Sequence, residues 1–447
     1  MLNNEVTSGV RYSVFIIRYL KFLLKPLYFY RGFFIMEEQE LIPHLFRTEF
    51  SKITAVLAKL FGFEHIEIAE DIASDTFLLA SEMWGLKGLP DKPVAWLYTV
   101  AKNKARDYLR RNKLFTEKIV TDIQYGNSEL HEINIDLSDH NIIDSQLQMM
   151  FAICHPAIPA EAQIGLSLRI LCGFGIEEIA DAFLSNKETI NKRLSRAKEK
   201  LRKEKVKIEL PPPGEINKRL EAVLTTLYLL FNEGYYSLSQ NSPVRKELCF
   251  EAMRLNHLLI ENETTNKPFV NALLALMCFQ ASRFEARINS NGESVLYDEQ
   301  DSNLWNTEFI LQGEFYLNKA ATGNTLSKYH LEAAIAYWHT KKEDTAEKWE
   351  SILQAYNRLL QIEYSPIAAL NRTYALARAR DKQTAINEAE KLDLTNSHLY
   401  YSLLGYLYTD IDNEKAVKHL RTALKLAKSK ADKSTIASNI DKLLKAA

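Results

Sequence analysis

Apolar positions recur at helical spacing in segment after segment of the chain. Between Ile158 and Lys207, Ile176, Ile179, Ala180 and Phe183 fall at i, i+3, i+4 and i+7. Ile190, Leu194, Ala197 and Leu201 repeat the spacing after a short polar break. The pattern predicts two amphipathic helices meeting at a tight turn, a helix-turn-helix arrangement. Upstream, LIPHLFRTEFSKITAVLAKLFGF, IEIAEDIASDTFLLASEMW and VAWLYTVAKNKARDYLRRNK carry the same periodicity and predict three more helices. Pro90 and Pro93 interrupt the second and third, so GLKGLPDKP predicts a loop delivering the chain to a fresh helix start. In that third helix Trp96, Leu97, Val100, Ala101, Ala105, Tyr108 and Leu109 fall on one side, the predicted core side. The predicted fold class is all-α.

Charge distinguishes these helices. The last carries Lys187, Lys192, Arg193, Arg196, Lys198, Lys200, Arg202 and Lys203 against Glu188 and Glu199, a field suited to phosphates. A helix in a major groove reads bases from its N-terminal turns, which makes Lys187, Glu188, Asn191, Lys192 and Ser195 the expected readers. Arg193, Arg196 and Arg202 are expected on the phosphate backbone. The third helix presents Lys102, Asn103, Arg106, Arg110 and Arg111 opposite its apolar stripe, whereas the second is acidic at Glu70, Asp71, Asp75 and Glu82. Cations and amides flanked by aromatic rings are what unpaired bases require.

Composition adds bounds. A chain of 447 residues exceeds one ordinary core, and 56 basic against 57 acidic residues make any basic surface local. Cys154, Cys172, Cys249 and Cys278 are widely spaced without ligand-like neighbours, which argues against a zinc site or a disulfide framework and fits a reducing cytoplasm. Residues 1–35 form an uncertain extension. Arg18, Lys21, Lys25 and Arg31 interrupt its apolar run, so stable membrane insertion is not expected. A basic membrane-surface helix and a misassigned start, with Met36 as initiator, both remain as readings.

AEDIASDTF followed by AWLYTVAKNKARDYLRR resembles region 2 of the sigma-70 family, and the helix-turn-helix with ETINKRLSRAKEKLR resembles its region 4. With no region between them, the resemblance is to the extracytoplasmic-function group of RNA polymerase sigma factors. It implies a region 2 bundle at 37–113 and a region 4 domain at 144–205, separated by an acidic linker at 114–143. It implies that Asp71, Asp75 and Phe77 bind core RNA polymerase, and that Lys102, Asn103, Arg106, Arg110 and Arg111 bind the minus-ten promoter element. The loop from Gly85 to Lys92 would lie near a flipped base. Lys187, Thr189, Asn191, Lys192, Arg193 and Arg196 would bind the minus-thirty-five element. Leu184 stands where the family's turn commonly has glycine, and Asn191 and Lys192 depart from its usual recognition helix, so promoter sequence is not inherited.

The stretch TDIQYGNSELHEINIDLSDHNIID, across the linker and its end, holds Asp122, Glu129, Glu132, Asp136, Asp139 and Asp144, which suits a solvated tether or a mimic of nucleic acid in a polymerase channel. KVKIELPPPGE predicts a stiff break at 206–215. Residues 216–325 predict a helical extension, whose LYLLFNEGYY stretch reads as a helix end with packed aromatics rather than a site built on Glu233. Residues 326–447 predict helical hairpins. Tyr401, Leu404, Gly405, Tyr408, Ala416, Leu420 and Ala423 resemble the tetratricopeptide pattern, with weaker relatives at Leu331–Leu360 and Ala368–Leu392. That resemblance extends to the sigma-factor subgroup with such a C-terminal extension, and implies regulation in cis and a peptide or protein ligand.

The reading is a cytoplasmic transcription initiation factor with core polymerase and promoter DNA as partners and no catalytic residue, cofactor or metal. The alternatives are a duplex-DNA-binding regulator with a protein-interaction domain, and a tetratricopeptide adaptor in which residues 216–447 alone retain function.

Overall fold

The computed structural model describes residues 38–111, 135–183, 185–236, 243–287, 295, 297–427 and 430–446. The expectations for residues 1–35, for Leu184 and for the linker acids Asp122, Glu129 and Glu132 lie outside these. Among the described residues there are eighteen helices and no strand.

Helix α1 (Glu38–Phe61) stops at Gly62, whose φ of 86° is open to a residue without Cβ. Helix α2 (Ile66–Lys87) stops at Gly88 in the same way, with φ 79°. Pro93 opens α3 (Pro93–Arg111), where a missing N–H costs nothing. The stripes meet as predicted by period: Leu97, Ala101, Ala105 and Leu109 of α3 are buried at four-residue spacing. Trp96 and Tyr108 are half-buried at its margin. Ser138 caps α4 (Asp139–Ile153), which begins inside the expected linker. Its last turns, from Met149 to Ile153, are buried on every side, as a helix apolar all round must be. Lys59 of α1 binds Asp144 at 2.6 Å, so α4 is fastened to the N-terminal bundle.

Helix α5 (Ala160–Leu166) runs into a π turn at Ser167–Leu171. Helix α6 (Ile176–Ala182) and α7 (Lys187–Lys203) follow, the second capped by Asn186, which accepts from the Thr189 N–H at 2.8 Å. Ile190, Leu194, Ala197 and Leu201 are the buried stripe of α7.

The C-terminal half begins with α8 (Ile216–Tyr236), α9 (Pro243–Glu261) and α10 (Pro268–Ala281). Three short turns at Glu285–Arg287, Tyr297–Glu299 and Ser302–Leu304 lead to α11 (Thr307–Ala320). Hairpins follow: α12 (Lys328–Trp338) with α13 (Ala346–Ile362), α14 (Pro366–Ala379) with α15 (Lys382–Ala389), and α16 (His398–Tyr408) with α17 (Asn413–Leu426). Helix α18 (Lys430–Ala446) closes the row. Thr345, Ser365, Asp381, Ser397 and Asp412 cap successive helices with their side chains, each worth about 1 kcal/mol.

The expected modules are not spaced apart. One apolar core runs from Leu45 to Ala336, and Pro211 of the proline stretch is itself buried. Arg219 of α8 donates to the Phe151 carbonyl at 2.6 Å, Thr226 to Gln163 Oε1 at 2.7 Å, and Arg254 of α9 to the Leu171 carbonyl at 2.8 Å. The C-terminal half thus satisfies backbone groups of α4 and of the π turn. A second core, from Leu331 to Leu407, belongs to the hairpins.

Candidate nucleic-acid and polymerase interface

On α2 the apolar stripe faces α1 and α3, which leaves Asp71, Asp75, Leu78 and Glu82 outward along one line. Leu78 is 60% exposed. Asp75 receives Lys104 at 3.2 Å, a solvent-facing pair of little net worth. Phe77 departs from its expected place: it is buried against Phe46, ring centroids 5.1 Å apart, and supports the helix from beneath.

Around the bundle, Asn103, Arg110 and Arg111 of α3 are exposed, and Lys102 and Arg106 are half-buried on the same side. The segment leading into α4 passes this side. The carboxyl of Asp136 is held below its usual range first by the Ser138 backbone and side chain, and further by the Lys102 cation. In the last turn of α2, just before the α2–α3 loop, Leu86 is 84% exposed. Trp84 is buried and Trp96 meets it edge-on at 5.4 Å, so this pair braces the loop.

Helix α7 divides its charge between two destinations. Thr189, Asn191, Lys192 and Arg196 are exposed near its start, with Lys187 paired to Glu177 at 2.6 Å and Lys192 to Glu188 at 2.5 Å. Arg193 leans over the Phe183 ring at 5.6 Å. Lys198 and Arg202 instead turn onto α2. Lys198 binds Glu70, Arg169 reaches the same carboxylate at 3.3 Å, and Arg202 binds Glu67. Arg202, expected on the phosphate backbone, is therefore engaged by protein. Glu70 and Lys198 are nearly excluded from water, with side chains 8% and 12% exposed. A carboxylate in that setting is tolerable because two cations share it. The signal for this junction was present as an acidic helix and a basic helix, but the partners lie more than 120 residues apart.

Among the described residues no helix is long and apolar enough to cross a membrane, and no group of three or more His, Cys, Asp or Glu side chains is placed to hold a metal.

Two family models match parts of the chain. Residues 45–115 match the family described as sigma-70 region 2, and residues 219–321 match a family of unknown function (DUF6596). No solved structure matches the chain. An uncharacterised protein of Rhizobium meliloti (strain 1021), R00370, is 32% identical over 397 residues, 87% of this chain and 93% of the other. The chain accordingly belongs to one family with that Rhizobium meliloti protein over most of its length, and its α1–α3 bundle is a sigma-70 region 2 domain.

Proposed function

We propose that the protein is a sigma factor that binds core RNA polymerase and directs promoter recognition and melting, with its C-terminal half regulating it in cis. The observation that carries the reading is a region 2 match on a bundle that exposes an acidic set of residues on α2 and a basic set on α3. Asp71, Asp75 and Leu78 are exposed on α2; Asn103, Arg110 and Arg111 are exposed on α3, with Lys102 and Arg106 half-buried beside them. The first set suits a basic protein groove. The second suits separated DNA strands, with Leu86 presented just before the α2–α3 loop. Helices α6 and α7 serve as the helix-turn-helix for upstream duplex, read from Lys187, Thr189, Asn191, Lys192, Arg193 and Arg196.

The two DNA-reading parts are in contact through Glu67, Glu70, Arg169, Lys198 and Arg202. Elements named minus ten and minus thirty-five are separated by about 25 base pairs, roughly 85 Å at ~3.4 Å per base pair. A 17-residue α7 spans about 25 Å at ~1.5 Å per residue. Both elements are therefore read together only after α7 leaves α2. Helices α8 and α9, bonded to α4 and the π turn, favour the closed arrangement, which is the physical content of regulation in cis.

Run-off transcription with purified core polymerase and the full chain tests the reading. Promoter-dependent transcripts are expected, falling steeply with added salt, and Asp71→Asn with Asp75→Asn should reduce co-purification of core enzyme at least tenfold. A chain that binds duplex DNA but yields no transcript from any genomic fragment would be the duplex-binding regulator instead.

A further inference from the structure

Three consecutive side chains of the turn Tyr297–Glu299 are gripped by widely separated parts of the hairpin region. The Tyr297 ring is enclosed by His339 at 4.8 Å, Trp305 at 6.5 Å and the Arg283 guanidinium at 5.4 Å. Its hydroxyl donates to the His339 carbonyl at 3.1 Å and accepts from Lys348 Nζ at 2.9 Å. Asp298 takes the Tyr374 hydroxyl at 3.0 Å and Arg378 at 3.2 Å. Glu299 takes Lys442 of α18 at 2.8 Å. Arg378 is aimed in advance, because its plane rests on Trp349 at 4.6 Å while Asp344 and the Tyr374 hydroxyl hold it from the sides.

We propose that this face, built from the α12–α13 turn, α14 and α18, is a docking site for a short acidic peptide, and that the Tyr297–Glu299 turn is its intramolecular occupant. The chemistry is that of peptide recognition: an aromatic residue in a ring-lined recess, then an aspartate and a glutamate each met by a separate cation. The acidic contacts are shallow. Asp298 and Glu299 each remain 51% exposed, and pairs so wetted contribute little beyond ~1 kcal/mol. The occupant is thus held largely by being tethered, an effective concentration in the millimolar range, and a free peptide of the same chemistry exchanges with it. Arg283 Nε and His339 Nδ1 are buried without hydrogen-bond partners, so the recess has polar capacity the tethered turn leaves unused. The inference is independent of the transcription reading, and its failure leaves that reading untouched.

The test is fluorescence anisotropy of a labelled synthetic peptide with the sequence of residues 296–301, LYDEQD, titrated with the full chain. Asp298→Ala with Glu299→Ala should loosen the occupant and tighten peptide binding at least tenfold over the unaltered chain. Adding Arg378→Gln should weaken peptide binding by the loosened chain several-fold, as should Asn for Asp in the third position of the peptide. Equal affinity of unaltered and loosened chains overturns the proposal. Should the loosened variant fail to fold, hydrogen exchange on the unaltered chain decides. Excess peptide accelerates exchange of the Tyr297–Glu299 amides if the site is exchangeable, and an unchanged rate makes the turn a fixed structural staple and sinks the idea.

Discussion

Glu332 on α12 and His339 just beyond it are both displaced by burial, in opposite senses. Burial pushes the Glu332 carboxyl up to about 7, against the pull of the Tyr228 hydroxyl and Lys328. Burial pushes the His339 imidazole down to about 3, helped by the Arg283 and Lys348 cations. The folded state therefore retains a proton on Glu332 that the unfolded chain has lost between pH 4.5 and 7, and stability from this group falls as pH rises through that window. For His339 the unfolded chain takes the proton first, so stability falls as pH drops from 6.5 towards 3. Each slope is about 1.4 kcal/mol per pH unit, and the two offset between pH 4.5 and 6.5. Glu332→Gln removes one of them. The variant should be about 2–3 kcal/mol more stable than the unaltered chain at pH 8, with the advantage shrinking to nothing near pH 4. Urea unfolding at the two pH values checks it. An advantage that does not depend on pH would place the effect elsewhere than in the carboxyl.

At the scale of helices, the close pairs are set by small residues, and Gly405 in the α16–α17 hairpin is one of them. A Cβ added there would stand 2.6 Å from Cγ of Leu420, which is itself 4% exposed and has no room to retreat. Gly405→Ala should cost about 1–3 kcal/mol by forcing α16 from α17, read as a lower melting temperature. Helix existence was legible in the chain because period, caps and breakers agree: Pro93, Asn186, Asp381 and Asp412 all lie at starts, and Gly62 and Gly88 at stops. The α3 cations were legible too, since the face opposite a clean apolar stripe has nowhere to go but outward. Phe77 was not. An apolar residue next to an acidic run satisfies a surface motif and a core stripe equally, and only the packing of Phe46 decides. The Tyr297–Glu299 turn had no periodic signal, because its order comes from partners up to 143 residues away.

For the molecule as a whole, the decisive contact is the one between α2 and α7, and its strength rests on unequal pairs. Arg202 with Glu67 is partly wetted, at 32% and 46% exposure, and should contribute at most ~1 kcal/mol. Glu70 is withdrawn from water and answers two cations, Lys198 and Arg169, so removing its charge leaves both in a poorly solvated place at a cost of about 3–5 kcal/mol. The lowest-cost response of the chain is to part the α2–α7 seam enough for water to reach Lys198 and Arg169, with the buried apolar stripe of α7 kept in place. Glu70→Gln should therefore open the molecule while Glu67→Gln leaves it closed. Spin labels at Ser81 and Ser195, both exposed on the helices concerned, report the separation directly. A longer and broader distance distribution in Glu70→Gln alone, accompanied by stronger binding of duplex DNA, is expected. The asymmetry matters more than the opening, because general destabilisation would lengthen the distance in both variants. Identical distributions in the two would mean that apolar packing, and not the shared carboxylate, holds α2 and α7 together.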